Sequence, residues 1–260
     1  MLGVLQGLTE FLPVSSSGHL VLMQSYLGLE EPMVFFDILL HVGTVAAVVV
    51  VYRDDLWRMA VQSFDALKKG FRNLDQLPEA RTVVMIVVAN IPTAVMGLAL
   101  EDYFERLFAS PFSVGCFLIV TGIILFATRN SGKGEKRDSA MTVRDAVIIG
   151  IAQGFAITPG ISRSGMTIAV ALLLGIERAS AARFSFLLSI PAILGAVVLK
   201  SRHIDQLDGD LAVYMSGAVV SFVVGIFALK WLIEWVRRGK LSWFSWYVWL
   251  VGAVAIVSYF

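Results

Sequence analysis

A carboxylate, an imidazole and three hydroxyls stand within one short stretch near the start of the chain: Glu10, Ser15, Ser16, Ser17 and His19. A guanidinium and three more hydroxyls cluster in the second half, at Ser162, Arg163, Ser164 and Thr167. Both sets sit in otherwise apolar sequence. The first offers a hydroxyl nucleophile, an acid/base and a carboxylate able to hold a divalent cation. The second offers a planar fork of donors suited to phosphate. Its hydroxyls and the free N–H groups opening the next helix form an anion nest, aided by the helix dipole. Charge neutralisation, positioning and proton transfer are the parts that phosphoryl transfer requires. Plainer readings exist beside this one. Serines cap helix N-termini, a buried Glu can be held protonated, and Arg163 would pair with Glu10 in an empty site. A buried Glu with a buried His still marks a functional site by default.

Both sets belong to a motif that occurs twice. Residues 6–19 read QGLTEFLPVSSSGH and residues 153–167 read QGFAITPGISRSGMT. At an offset of 147, Gln6 falls on Gln153, Gly7 on Gly154, Ser15 on Ser162, Ser17 on Ser164 and Gly18 on Gly165. Gln6 and Glu10 are four apart and share a helix face. Pro13 ends that helix, and Pro159-Gly160 ends its counterpart. Each copy is an apolar stretch, a Gly/Pro/Ser break and a second arm too short to span a bilayer. Polar, helix-breaking sequence at membrane depth is costly unless it lines a cavity or site. The expectation is two re-entrant hairpins, 2–28 and 146–175. The copies are not equivalent. Ile157 and Met166 stand where the first copy has Glu10 and His19, and Ser16 stands where the second has Arg163.

The 260 residues are 57% hydrophobic and 16% charged, with mean hydropathy +0.78. This composition predicts an all-α polytopic membrane protein. A net charge of +1 gives no reason to expect nucleic-acid binding. The single cysteine, Cys116, excludes an intrachain disulfide and reads as a small apolar-facing residue. No cleavable-signal pattern precedes the first motif. Six segments reach bilayer-crossing length: 34–52, 82–100, 112–128, 184–200, 211–235 and 242–259. The order is therefore a hairpin plus three spans, twice. Three is odd, so the second unit starts on the opposite side, giving an inverted-topology repeat whose hairpin tips meet near the midplane. The repeats are 1–128 and 146–260, joined by a cytoplasmic linker at 129–145, of which 129–138 reads as solvated. Asn90-Ile91-Pro92 and Ser189-Ile190-Pro191 read as two proline-kinked helices. Seventeen of the 21 Lys and Arg fall in 53–81, 129–145, 176–183 and 230–240, which makes that face cytoplasmic. Part of 53–81 reads as an interfacial helix. Trp243, Trp246, Tyr247 and Trp249 read as an interfacial belt. His41 and His203 receive structural readings.

At the paired motifs the sequence closely resembles the undecaprenyl-diphosphate phosphatase family of bacteria, also known as bacitracin-resistance proteins. The residues that carry the resemblance are Gln6–Glu10, Pro13–His19 and Pro159–Thr167. It covers essentially the whole chain. It implies hydrolysis of undecaprenyl diphosphate to the monophosphate, recycling the lipid carrier of cell-wall synthesis, in the bacterial plasma membrane at a site open to the outer, periplasmic face. It also implies roles. Glu10 positions the diphosphate or a divalent cation, Mg²⁺ or Ca²⁺, with Gln6 assisting. Many members carry Glu where this chain has Gln6, which leaves the carboxylate work to Glu10 alone. Ser16 is the first candidate nucleophile with His19 as its base, and His19 itself is the second. Arg163 stabilises the transferring charge. Ser15, Ser17, Gly160, Ser162, Ser164, Gly165 and Thr167 line the phosphates. The implied partners are a polyprenyl diphosphate lipid and the bilayer, with a second copy of the chain as a candidate. The rival reading is a transporter or lipid flippase built on the same inverted repeat. The close Ser/His pair, Arg163 opposite it and the lack of long gating segments favour the enzyme.

Overall fold

Lipid offers a peptide group no hydrogen-bond partner, so so apolar a chain must close its backbone bonds within helices or against itself. The computed structural model describes residues 1–27, 34–71, 74–108, 110–131, 134–200 and 211–258, which are helical with short turns between. Arg72, Lys133, Arg202 and His203 lie outside the described residues.

Helices α1 (Leu2–Thr9) and α2 (Ser16–Tyr26) flank the first break. Helices α3 (Val34–Val51) and α4 (Arg53–Lys68) meet at a bend of 76°. Then come α5 (Pro78–Ala99), α6 (Glu101–Phe108) and α7 (Pro111–Ala127). Helices α8 (Val143–Phe155) and α9 (Arg163–Leu173) flank the second break, followed by α10 (Arg178–Lys200), α11 (Leu211–Arg237) and α12 (Phe244–Val257). The helix starts obey local chemistry. Pro78 and Pro111 sit at the first turn of α5 and α7, where a missing N–H costs nothing. Thr142 and Asp145 form a reciprocal capping box at the head of α8. Burial alone would push the Asp145 carboxyl up. Hydrogen bonds from Lys136 and Thr142 outweigh it and hold the group below the usual carboxylate range.

Four of the six expected spans, in α5, α7, α10 and α11, are long and apolar enough to cross a bilayer. The other two fall short. Helix α3 reaches that length only together with α4, which bends away and leaves Trp57, Val61 and Phe64 exposed, as an interfacial helix would. Helix α12 has 14 residues after a short turn at Leu241–Trp243. Helix α10 starts at Arg178, so most of the expected connection 176–183 is helix. The cause is that Arg183 has partners on other elements. It donates to Asp55 of α4 at 2.7 Å, to Glu79 of α5 at 2.5 Å and to Asp138. The stretch expected to be a solvated linker is therefore anchored. Asp138 and Met141 are buried, and Glu177 N–H donates to the Lys136 carbonyl at 2.8 Å.

The first helix of each motif segment rests on a helix of the other half. Gly3 and Gly7 of α1 lie against Gly217 and Ser221 of α11, while Gly150 and Gly154 of α8 lie against Ala89 and Met96 of α5. Small residues four apart let membrane helices approach closely and gain dispersion contacts that lipid cannot supply better. A methyl added at Gly150 would run into the Ala89 carbonyl, whereas one at Gly195 meets nothing within 4 Å. Gly150→Leu is expected to lower stability by about 3 kcal/mol through overpacking, read as a large fall in melting temperature in detergent. Gly195→Ala should leave it unchanged. Equal melting of the two variants would show that the α5–α8 contact is not tightly packed.

Candidate active site

Each break frees backbone groups that have to be bonded again. At the first, Ser15 caps α2, its Oγ accepting from Gly18 N–H at 3.3 Å. At the second, Ser162 caps α9 in the same way, accepting from Gly165 N–H at 3.1 Å. The two breaks then bond to each other. Gly160 N–H donates to Ser15 Oγ at 3.1 Å, and Ser164 Oγ donates to the Leu12 carbonyl at 3.2 Å. Gly18 lies on Gly160, and Gly165 lies on Pro13. Thr121 of α7 completes the join: its hydroxyl donates to the Gly160 carbonyl at 2.8 Å and accepts from Ser162 N–H at 3.2 Å. Ser15 has φ 68°, a strained conformation for a residue with a Cβ, and Gly160 has φ 94°. Such strain persists only where surrounding bonds over-determine it.

Glu10, the first residue past α1, is the centre of the site. Its side chain is 4% exposed, yet it has four polar neighbours. Oε1 accepts from the Arg163 guanidinium. Oε2 accepts from Ser16 Oγ at 2.6 Å and Gln6 Nε2 at 2.8 Å, and His41 Nε2 of α3 lies 3.7 Å from it. Arg163, Ser16 and His41 are only partly buried, so the carboxylate is reached past them.

His19 lies on the same helix as Ser16 but is turned to other partners. Its Nδ1 is 2.9 Å from the Ser15 carbonyl and its Nε2 is 2.9 Å from the Tyr247 hydroxyl. A carbonyl only accepts, so Nδ1 carries the proton and Nε2 accepts from Tyr247. The hydroxyl partner of Ser16 is thus Glu10. Of the residues expected to line phosphates, Ser15, Ser162 and Ser164 are buried and bonded internally, and Thr167 bonds to the Arg163 carbonyl and to Ser185. Ser17 is half-buried, 3.4 Å from Ser15 Oγ.

Sequence reasoning did not single out Thr121, read His41 as structural and placed Tyr247 in an interfacial belt. Each was signalled only by a single polar group in an apolar span. Among the described residues no group of three His, Cys, Asp or Glu side chains could hold a metal ion alone. The donors still suit a hard divalent cation. Glu10 supplies carboxylate oxygens, and Gln6 Oε1 is buried with no hydrogen-bond partner. Mg²⁺ is commonly held by one or two carboxylates plus substrate phosphates and water.

Ser15→Ala removes a helix cap and the acceptor for a second chain segment. It is expected to cost about 2 kcal/mol, measured by thermal unfolding. Ser17→Ala, which caps nothing, should stay within about 0.5 kcal/mol of the parent. The reverse order would show that Ser15 does not hold the two breaks together.

Comparison with known proteins adds the following. The family described as "Bacitracin resistance protein BacA" matches residues 1–254. The chain is 46% identical to the undecaprenyl-diphosphatase of Desulfosudis oleivorans, with 98% of this chain and 96% of that protein covered. It is 44% identical to that of Carboxydothermus hydrogenoformans, covering 99% and 95%, and 41% identical to that of Korarchaeum cryptofilum, covering 99% and 97%.

Proposed function

The chain belongs to the bacitracin resistance protein family, and on that basis we propose that it is an integral membrane undecaprenyl-diphosphatase. It hydrolyses undecaprenyl diphosphate to undecaprenyl phosphate and phosphate, which recycles the lipid carrier for cell-wall synthesis and confers bacitracin resistance. The observation that carries this reading is that Ser16 and Arg163, on two separate broken helices, meet on one buried carboxylate. The names of the relatives do not favour the transporter alternative.

The diphosphate draws Arg163 off Glu10, because the guanidinium fork fits phosphate oxygens. Glu10 orients Ser16 through their 2.6 Å hydrogen bond, and the Ser16 proton passes to an oxygen of the bound diphosphate as Oγ attacks. Ser16 Oγ attacks the terminal phosphorus, the bond from that phosphorus to the bridging oxygen breaks, and undecaprenyl phosphate leaves. Water attacks the phosphoserine, the proton lost in the first step returns to Ser16 Oγ as the Oγ–phosphorus bond breaks, and phosphate leaves. Ser16 is the better nucleophile because both His19 ring nitrogens are engaged. His19 serves the second step, taking a proton from water once Tyr247 releases Nε2. Glu10 and Gln6 would hold a divalent cation, Mg²⁺ or Ca²⁺, which when bound neutralises diphosphate charge. Arg163 supplies transition-state donors, so Arg163→Ala should lower phosphate release from a prenyl diphosphate at least a hundredfold, about 3 kcal/mol. Ser16→Ala should abolish it. Wild-type protein that binds the lipid but releases no phosphate under any metal condition would sink the reading.

The inverted repeat belongs to the same proposal. It is supported by paired contacts: Gly18 on Gly160 matches Gly165 on Pro13 under the 147 offset, and α1 on α11 matches α8 on α5 in the order of the elements. The hairpins 2–28 and 146–175 would then enter from opposite faces of the inner membrane. An outward-facing site is supported by Gln24, whose amide lies 3.4 Å from Asp37, one turn from His41 toward the Arg-poor end. The ion cluster at Arg183 occupies the other end. With Cys116 changed to Ser, Glu135→Cys should react with an impermeant maleimide only from the cytoplasmic side. Reaction from outside would reverse the orientation.

A further inference from the structure

One group around Glu10, the His41 imidazole, is left without a function by this mechanism. His41 Nδ1 lies 2.7 Å from the Asp37 carbonyl. A carbonyl only accepts, so Nδ1 holds a proton and the ring is fixed with Nε2 toward Glu10. Nε2 is 3.7 Å from Glu10 Oε2, too far for a direct hydrogen bond. Gln6 Oε1, on the amide that donates to that same oxygen, is buried and unpartnered among the described residues. Two ligands about 2.1–2.4 Å from one ion lie roughly 3–4 Å apart. An imidazole whose Nδ1–H is held by a backbone carbonyl is the usual state of a metal-ligating histidine.

We infer that His41 is an imidazole ligand, through Nε2, to the divalent cation held at Glu10. The inference rests on the proposed cation at that carboxylate. Turning the Gln6 amide over withdraws its N–H from Oε2 and presents Oε1 in its place, so one nitrogen and two oxygens come from the protein. Substrate phosphate oxygens and water complete the set. An imidazole in place of a further oxygen shifts the preference from Ca²⁺ toward transition-metal ions, among which Mn²⁺ serves as the paramagnetic probe.

The test uses the full chain in detergent with Mn²⁺, alone and with methylenediphosphonate, read by pulsed electron paramagnetic resonance. Wild-type protein should show a directly bound nitrogen, and its signature should change when the chain carries ¹⁵N-histidine, a measurement that needs no substitution. His19→Ala and His203→Ala should keep the signal. His41→Gln should lose it and bind Mn²⁺ at least tenfold more weakly, as lost ligand-shell contacts do. Mn²⁺ bound in a Glu10-dependent way without a histidine nitrogen overturns the role of His41 and leaves the cation reading intact. A signal that depends on His19 or His203 overturns it equally. No Glu10-dependent Mn²⁺ binding, with or without methylenediphosphonate, overturns both.

Discussion

A backbone that stops being helical inside a bilayer must find every hydrogen bond within the protein. The rest of this structure follows from that constraint. Residues 10–15 and 156–162 leave the helix, and neither segment is satisfied alone. Ser15 answers for Gly160, Ser164 for Leu12, and Thr121 of a third helix for both Gly160 and Ser162. The two breaks are thereby locked face to face. Glu10 on one and Arg163 on the other come together because their frames are bonded, not because opposite charges searched for each other across lipid. A buried ion pair is weak evidence for stability in itself, since desolvation offsets the attraction. Under the proposed function its use is to hold two charges that a diphosphate can separate.

Much of this was legible in the sequence. The 147-residue offset picked out both breaks, and of the polar residues that differ between the copies the structure brings Glu10, Ser16 and Arg163 together and turns His19 to other partners. What misled was chemistry that serves two ends. Ser15, Ser162 and Ser164 read as phosphate ligands because a capping hydroxyl and an anion-binding hydroxyl look alike in sequence, both sitting at a helix N-terminus. Packing decides between them, and here it buries all three. Adjacency misled too. Ser16 and His19 share a helix, but rotation about that helix and the reach of Tyr247 from the far end of the chain turn His19 elsewhere.

The residues given no part in the site come from outside the doubled motif. His41 and Thr121 lie on helices of the first half and Tyr247 on the last helix. No motif marks them, because a single polar group in an apolar span has no spacing to read. The stretch 129–138 was misread for a related reason. Its charges suggested solvent, whereas Asp138 is taken into the Arg183 cluster and Lys136 pairs with Asp145. Charge density alone does not separate a free loop from one tied down by ions.

The two short spans carry a consequence for the membrane itself. Helix α3 has 18 residues and α12 has 14, roughly 27 and 21 Å at about 1.5 Å per residue. Over the described residues both are shorter than a hydrocarbon core of about 30 Å, a mismatch that local thinning of the bilayer meets at modest cost. These are the helices that bring His41 and Tyr247 to the site. Thinning beside these two helices would bring headgroups nearer the carboxylate, so that under the proposed function a lipid diphosphate would have less oil to cross.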